Sequence, residues 1–481
     1  MLTGDVFVDT SALIGVLDKR IYGQFVEHLG RCIYGGIWVG EKSKISNVKG
    51  FRKDVLDAIK AIEPPIVRWP GGNFSSAYHW EDGIGPRESR PKRFDMAWGA
   101  EEPNEFGTDE FVEWCRMVGT EPFIVVNAGN GTPEEAARWV EYCNSSGGTH
   151  YALLRRRYGH PEPYNVRLWG IGNELYGRWQ VGFCVDGMEC ARRTLEFANE
   201  MRKVDPRIEL VGVGCEDPEW NLSMVKVAGE YIDYLSIHTY IEGDRPYREL
   251  VAAPMDIENK LRGIYYLIEC ARRKWKVKRR IRIAFDEWNV WYPEAKPPLL
   301  EQVTRIKDAI FTALVLNALQ RLCNEVAIAC FAQTVNVLPL IMTRDDGAML
   351  VNPQYLVFKL YAEGAKGNVV RATAIAPAYY SKSLGKYICL LDVSAIISKT
   401  NNELNLFIVN RHEDEGFECK LHIRGFSPSL IEHNYIAGDS IDDMNSFDEP
   451  NRVSIERRRL KFSDGASIEI PPHSVNLMRL R

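Results

Sequence analysis

The sequence predicts an α/β protein, a (β/α)8 TIM barrel with a second, C-terminal antiparallel β-sandwich, and three observations carry that prediction. Eight short apolar runs, each followed by a polar cluster and a stretch of helical period, succeed one another up to about residue 370. Strand–helix alternation of this length is the pattern of a closed parallel barrel. Beyond that point come short, often alternating segments divided by polar turns, as in a sheet with one buried face. The eight runs end on acids, amides and aromatics, with no lysine among them, and a barrel gathers its strand ends at one rim.

In chain order the runs are 21–29, 65–73, 121–130, 166–174, 208–216, 231–240, 280–289 and 325–336. Alternation alone would also fit an open doubly wound sheet; the count of eight favours closure. Amphipathic segments lie between the runs. "TDEFVEWCRMVG" (108–119) opens on a cap-like Thr108 and closes on Gly119, with Phe111, Val112, Cys115 and Val118 on one face. "TPEEAARWVEYCN" (132–144) puts Pro at the first helical position and acids at the positive end of the helix dipole. Further helices are expected over 187–205, 220–230, 255–275 and 301–323. In the tail, 404–410, 418–426, 466–472 and 474–480 read as sandwich strands, and "DVFVDT" (5–10) shares their period, so it is placed with them. The expected division is 1–17 as a strand joining the sandwich, 18–370 as the barrel and 371–481 as the sandwich.

The bulk numbers exclude several classes of function. With 60 basic against 65 acidic residues the formal charge is −5, which supplies no field for nucleic acid or anionic lipid. The Arg155–Arg157 and Arg457–Arg459 clusters are too short to change that. The most apolar stretch, "AIFTALVLNAL", is interrupted by Thr and Asn, and the N-terminus lacks a basic flank before an apolar core. Eleven scattered cysteines without metal-type spacing fit reduced thiols in the cytoplasm. "PGGNF" lacks the lysine of a phosphate loop and the third glycine of a dinucleotide turn.

The ends of the runs supply Glu27, Asn73, Asn127, Asn173–Glu174, Glu216, His238 with Tyr240, Asp286–Glu287–Trp288 and Gln333. Amides and acids bind hydroxyls, and aromatic faces cover the apolar side of a sugar ring. Ending a buried strand on an ionised carboxylate is costly unless that group is paired or used. Two such ends, "GNE" (172–174) and "FDEWN" (285–289), present the pair that glycoside hydrolysis requires: a proton donor for the leaving oxygen and a carboxylate for the developing oxocarbenium ion. Mutual repulsion between the two should raise the pKa of the acid. His238 reads equally as a structural histidine, and Trp288 and Trp291 equally as core aromatics.

The blocks "IYGQFVEHLGRCIYGGIW" (21–38), "VRWPGGNFSSAYHWEDGIGP" (67–86), "LWGIGNELYGRWQVG" (168–182), "LSIHTY" (235–240), "FDEWNVWY" (285–292) and "AQTVNVLPLIMT" (332–343) closely resemble the α-L-arabinofuranosidases of glycoside hydrolase family 51. The resemblance runs in order along the whole chain. It implies a barrel with a jelly-roll-like sandwich and a retaining double displacement on arabinofuranosyl-containing oligo- and polysaccharides, with no metal or cofactor. Carried over by motif, Glu174 is the acid/base and Glu287 the nucleophile, while Asn173 holds the hydroxyl beside the anomeric carbon. Glu27, Asn73 and Gln333 hold the remaining sugar hydroxyls, Tyr240 steers the nucleophile and Trp98 walls the pocket. Members are commonly hexamers. The loop 87–107 is expected to shape the leaving-group side. A β-xylosidase or endo-glucanase using the same two glutamates, and a non-catalytic carbohydrate-binding barrel, are the alternatives.

Overall fold

The computed structural model describes residues 1–400, 402–462 and 467–481. Eight parallel strands close into a barrel in chain order: Gly23–Phe25, Ile66–Trp69, Glu121–Val126, Leu168–Ile171, Glu209–Val213, Tyr234–Glu242, Arg282–Trp291 and Val326–Ala332. Each lies within or overlaps one of the eight apolar runs. The sixth and seventh continue past the predicted ends, pairing His238 with Glu287 and onward to Glu242 with Trp291. Alternate strand residues fill the barrel (Phe25, Ile66, Phe123, Leu168, Val211, Ala284 and Ile328 among them), while those between them pack outward against the helices. That two-sided burial explains why the runs are continuously apolar.

Helices Pro133–Asn144, Gly187–Val204, Pro218–Ala228 and Ala253–Trp275 occupy the expected segments. In helix Thr108–Val118 the cap is Gly107, one residue earlier than predicted. The Glu110 carboxylate accepts from the Gly107 N–H at 2.9 Å, and the Thr108 hydroxyl instead accepts from Trp139 Nε1 at 3.0 Å. Helix Ile306–Arg321, which holds the most apolar stretch, is buried almost all round between the barrel and strands Leu391–Ile397, Leu404–Asn410 and Ser474–Leu480. No helix among the described residues is long and apolar enough to cross a membrane.

The C-terminal domain is a nine-stranded sheet that includes the N-terminal strand Leu2–Val16. This strand pairs antiparallel with Asn368–Ile375 but parallel with Phe417–Arg424, so the expected antiparallel order is broken at that one seam. The two edge strands, Ile455–Lys461 and Ser467–Ile470, meet where Arg458 donates to the carbonyl of Glu469, so the sheet doubles back on itself. Residue 466, the start of the predicted strand 466–472, lies outside the described residues. Arg321 ties sandwich to barrel, reaching Glu258 at 2.7 Å and Asp392 at 3.0 Å.

Within 87–107, Arg93–Asp95 and Ala100–Glu102 form a two-stranded hairpin above the barrel mouth.

Candidate active site

A cavity of about 430 Å³ opens at the C-terminal ends of the barrel strands. Seven of the residues expected there line it: Glu27, Asn73, Trp98, Glu174, Tyr240, Glu287 and Gln333. Asn173 stands beside it, its amide about 3.3 Å from where a side chain on Gly72 would begin. Glycines 71 and 72 of "PGGN" are required by this crowding. A Cβ on Gly71 would lie 2.5 Å from Glu27 Cγ, and one on Gly72 would lie 2.9 Å from Glu287 Oε1, both inside van der Waals contact. Glu174 itself adopts a left-handed φ of 42°, a conformation that non-glycine residues hold only when their surroundings impose it.

One carboxylate oxygen of Glu174 and one of Glu287 lie within 4.8 Å of each other, with a His238 nitrogen within the same distance of both. Arg68 donates to Glu287 Oε1 at 2.7 Å and to Asn173 Oδ1 at 2.6 Å, and its Nε stands 3.2 Å from Asp286. Tyr240 donates its hydroxyl to Glu287 Oε2 at 2.9 Å. His238 Nδ1 meets Glu174 Oε1 at 2.9 Å, and Tyr176 donates to the same oxygen at 3.2 Å. On the opposite wall Glu27 accepts from the Phe74 N–H and from Trp98 Nε1, each at 3.1 Å, and from Gln333 Nε2 at 2.8 Å. Gln180 donates to Asn73 Oδ1.

These bonds orient two amides. Guanidinium only donates, so the Asn173 atom facing Arg68 is its oxygen, and the NH2 group is left buried without a partner. Likewise Gln333 gives its NH2 to Glu27 and keeps an unpartnered buried oxygen. A buried donor and a buried acceptor left open at a cavity wall are costly, and hydroxyls of a ligand would satisfy both.

The electrostatics overturn one expectation. Three buried carboxyl groups (Glu27, Asp286, Glu287) and the half-buried Glu174 face two basic side chains, Arg68 and His238. Burial, assisted by the Glu287 charge, pushes Glu27 up to about 7, and burial also raises Glu287. Glu174 moves the other way: burial opposes ionisation, but the hydrogen bond and charge of His238 hold it below the usual glutamate range. Burial likewise works against the His238 cation, yet the Glu287 charge and the hydrogen bonds to Asp286 and Glu174 carry its pKa up to about 10. In the free site the proton therefore resides on the His238 side of the Glu174–His238 pair, not on the glutamate that repulsion from Glu287 was expected to protonate.

Glu174, His238 and Glu287 also have the mutual spacing of metal ligands. However, both Glu287 oxygens are engaged by Arg68 and Tyr240, and the Arg68 charge beside them opposes a divalent ion. Other strand-end residues stand apart from the cavity. Asn127 closes its own turn by accepting from the N–H groups of Gly129 and Asn130, and Glu216 pairs with Lys260. Trp288 is buried against Phe285, Phe331 and Phe358 as a core aromatic, whereas Trp291 lines the cavity. The reading of residue types missed Arg68, although a lone arginine inside the apolar run "PIVRW" is a legible signal. It also missed Tyr176, Trp179 and Gln180. The 87–107 hairpin brings Trp98 onto the Glu27 wall rather than shaping only the leaving-group side.

Comparison with known proteins agrees with this geometry. Residues 58–253 match the family model described as the α-L-arabinofuranosidase 1 domain, and residues 286–474 that of the α-L-arabinofuranosidase C-terminal domain. The chain is 34% identical to the intracellular exo-α-(1→5)-L-arabinofuranosidase 1 of Bacillus subtilis, over 99% of this chain and 98% of that one. It superimposes on the α-L-arabinofuranosidase of Thermotoga maritima, solved as an arabinose complex, with a TM-score of 0.92 and 40% identity, covering 99% of each chain. The family 51 enzyme AbfB of Bifidobacterium longum gives a TM-score of 0.95 at 29% identity, covering 100% of both. A family 44 endoglucanase from Clostridium thermocellum, at 14% identity and a TM-score of 0.62, shares the fold alone. On its barrel, its rim of paired carboxylates and these full-length matches, the chain belongs to the α-L-arabinofuranosidases of glycoside hydrolase family 51.

Proposed function

We propose that this enzyme removes terminal non-reducing α-L-arabinofuranosyl residues from arabinose-containing oligo- and polysaccharides by a retaining double displacement. The Glu287 carboxylate attacks the anomeric carbon while Glu174 gives a proton to the departing glycosidic oxygen, leaving an arabinosyl ester on Glu287. Water, deprotonated by Glu174, then attacks the same carbon and releases arabinose with Glu287 regenerated. The observation that carries this reading is the approach of Glu174 and Glu287 oxygens to within 4.8 Å. Retaining enzymes place their carboxyl groups about 5–5.5 Å apart, whereas inverting ones leave about 6.5–9.5 Å for a water.

The surroundings support the assignment. Arg68 and Tyr240 fix both oxygens of Glu287, and the open NH2 of Asn173 is available to the hydroxyl next to the reacting carbon, where a hydrogen bond strengthens in the transition state. Glu27, Asn73 and Gln333 offer acceptors and donors for the other hydroxyls, and Trp98 covers them. The proton that Glu174 delivers is held in common with His238 across their 2.9 Å hydrogen bond. Once Glu287 is esterified its charge is gone, the main support of the His238 cation weakens, and Glu174 is free to act as base.

Product analysis by NMR on an aryl α-L-arabinofuranoside tests substrate class and stereochemistry together. The α-anomer of arabinose should appear first, and aryl β-xylopyranosides should be poor substrates; initial β-arabinose would overturn the mechanism. Glu174→Ala should slow poor leaving groups far more than activated ones. Azide added to Glu287→Ala should yield an inverted glycosyl azide. The relatives named intracellular support a cytoplasmic enzyme. A homo-hexamer, as the family resemblance implies, is checked by light scattering.

A further inference from the structure

Adjacent residues at the end of the first barrel strand face opposite ways. Glu27 points into the sugar cavity and accepts from Trp98 Nε1. His28 points behind it, into a buried polar knot at the root of the 93–102 hairpin. There His28 Nδ1 meets Glu102 Oε2 at 2.8 Å. Trp69 Nε1 donates to His28 Nε2 at 3.0 Å; since indole nitrogen can only donate, Nε2 is the acceptor and Nδ1 carries the proton toward Glu102. Tyr34 donates to the other Glu102 oxygen, and so does the Asn104 N–H at 2.7 Å. Glu102 and Trp98 lie on the same hairpin.

The segment's other buried ties lie below the hairpin, where Arg90 pairs with Glu110 at 2.9 Å and donates to the Asn104 carbonyl at 2.9 Å. Cavities of about 330 and 240 Å³ flank its root, and Asp95 and Glu102 line both. Its outer side chains Phe94 and Met96 are exposed, and the Arg93–Asp82 and Lys92–Glu101 pairs lie toward solvent, where ion pairs contribute little. The buried Glu102 carboxylate, by contrast, loses its bonds to both His28 and Tyr34 if the hairpin lifts.

We propose that Glu102, anchored by His28 and Tyr34, is a positioning residue that sets the hairpin so that Trp98 closes the sugar pocket over Glu27. This rests on the arabinofuranosidase reading above and adds a residue that touches no substrate. A terminal arabinofuranosyl unit bound against Glu27 would feel the loss of Glu102 only through Trp98.

The test is a double-mutant cycle on kcat and KM for an aryl α-L-arabinofuranoside. Glu102→Gln, which keeps the size of the side chain but weakens its bonds to His28 and Tyr34, should raise KM about ten-fold, the scale of one hydrogen bond, with kcat nearly unchanged. Trp98→Ala should raise KM at least as far, and the double variant should resemble Trp98→Ala alone, because the second change removes what the first controls. Additive losses, or a fall in kcat without a change in KM, would overturn the proposal. If Glu102→Gln does not fold, Tyr34→Phe removes a single anchor and should give the same KM effect at smaller size; an unchanged KM there would also overturn it. Wild-type turnover of the same substrate is the control: its absence would strike the arabinofuranosidase reading, not the Glu102 assignment.

Discussion

His238→Gln examines where the catalytic proton is kept. In the wild-type site His238 is held at a pKa of about 10 against an ordinary value of 6.5, so its proton is bound by about 5 kcal/mol more than in water. Glu174 is held below the glutamate range by the same contact. The two groups are 2.9 Å apart and titrate as one unit, so the pH dependence of kcat/KM reports the pair, not either residue alone. The wild-type alkaline limb should accordingly fall near pH 10, well above any carboxyl group. Glutamine cannot carry the proton. Glu174 must then hold it by itself, with its pKa raised by the loss of the cation but still that of a buried carboxyl group. The alkaline limb should move down from about 10 toward that of a buried carboxyl group, while the acid limb, assigned to the buried Glu287, should move up because Glu287 loses the His238 charge that favours its ionised form. The assay is kcat/KM from pH 4 to 10.5 on an arabinofuranoside with a poor leaving group, for which proton donation limits the rate. An alkaline limb left in place by His238→Gln would refute the shared-proton argument.

Three further outcomes follow from the geometry. Asn173→Ala, which removes the open NH2 group and leaves Arg68 with one acceptor fewer, should lower kcat/KM by about a hundredfold or more, mostly in kcat, as steady-state kinetics would show. Gly72→Ala places a methyl group 2.9 Å from Glu287 Oε1; displacing the proposed nucleophile by even part of an ångström should cost about a hundredfold in kcat, with the melting temperature close to wild type. In the sandwich, buried His433 accepts from Arg458 at 3.0 Å and shares its other nitrogen with Asn476 at 2.8 Å, and burial depresses its pKa to about 4. The unfolded chain therefore takes up this proton first as pH falls through about 6.5, and stability present above that pH is lost down to about 4. At pH 5 the loss is about 2 kcal/mol, and His433→Gln should remove that part of the acid sensitivity in urea titrations at pH 7 and 5.

Much of this arrangement was legible before any coordinates. The eight apolar runs and their intervening helical periods are local patterns, each set by what its own residues must bury, and they specify the strand count, the order and the rim. The two glutamates stood out for a related reason: each follows the apolar part of its run, where a buried charge must be paired or used. Gly71 and Gly72 were visible as glycines, but their purpose, clearance for Glu27 and Glu287, was not. Trp288 and Trp291, three residues apart on one strand, could not be sorted into core and cavity from their spacing, because the seventh strand shifts register between Phe285 and Trp288.

The sequence by itself determined the barrel, the tail of β-strands and the carboxylate pair, because burial and periodicity act over a few residues at a time. Only the tertiary structure decided which groups share protons and which hold others in place. Arg68 reaches a glutamate 219 positions away and His238 a glutamate 64 positions away. Charge states in a buried cluster depend on ångström distances between such remote residues, and no local pattern encodes them. The expectation that Glu174 would carry the raised pKa failed on that ground: it counted the neighbouring carboxylate and could not see the imidazole.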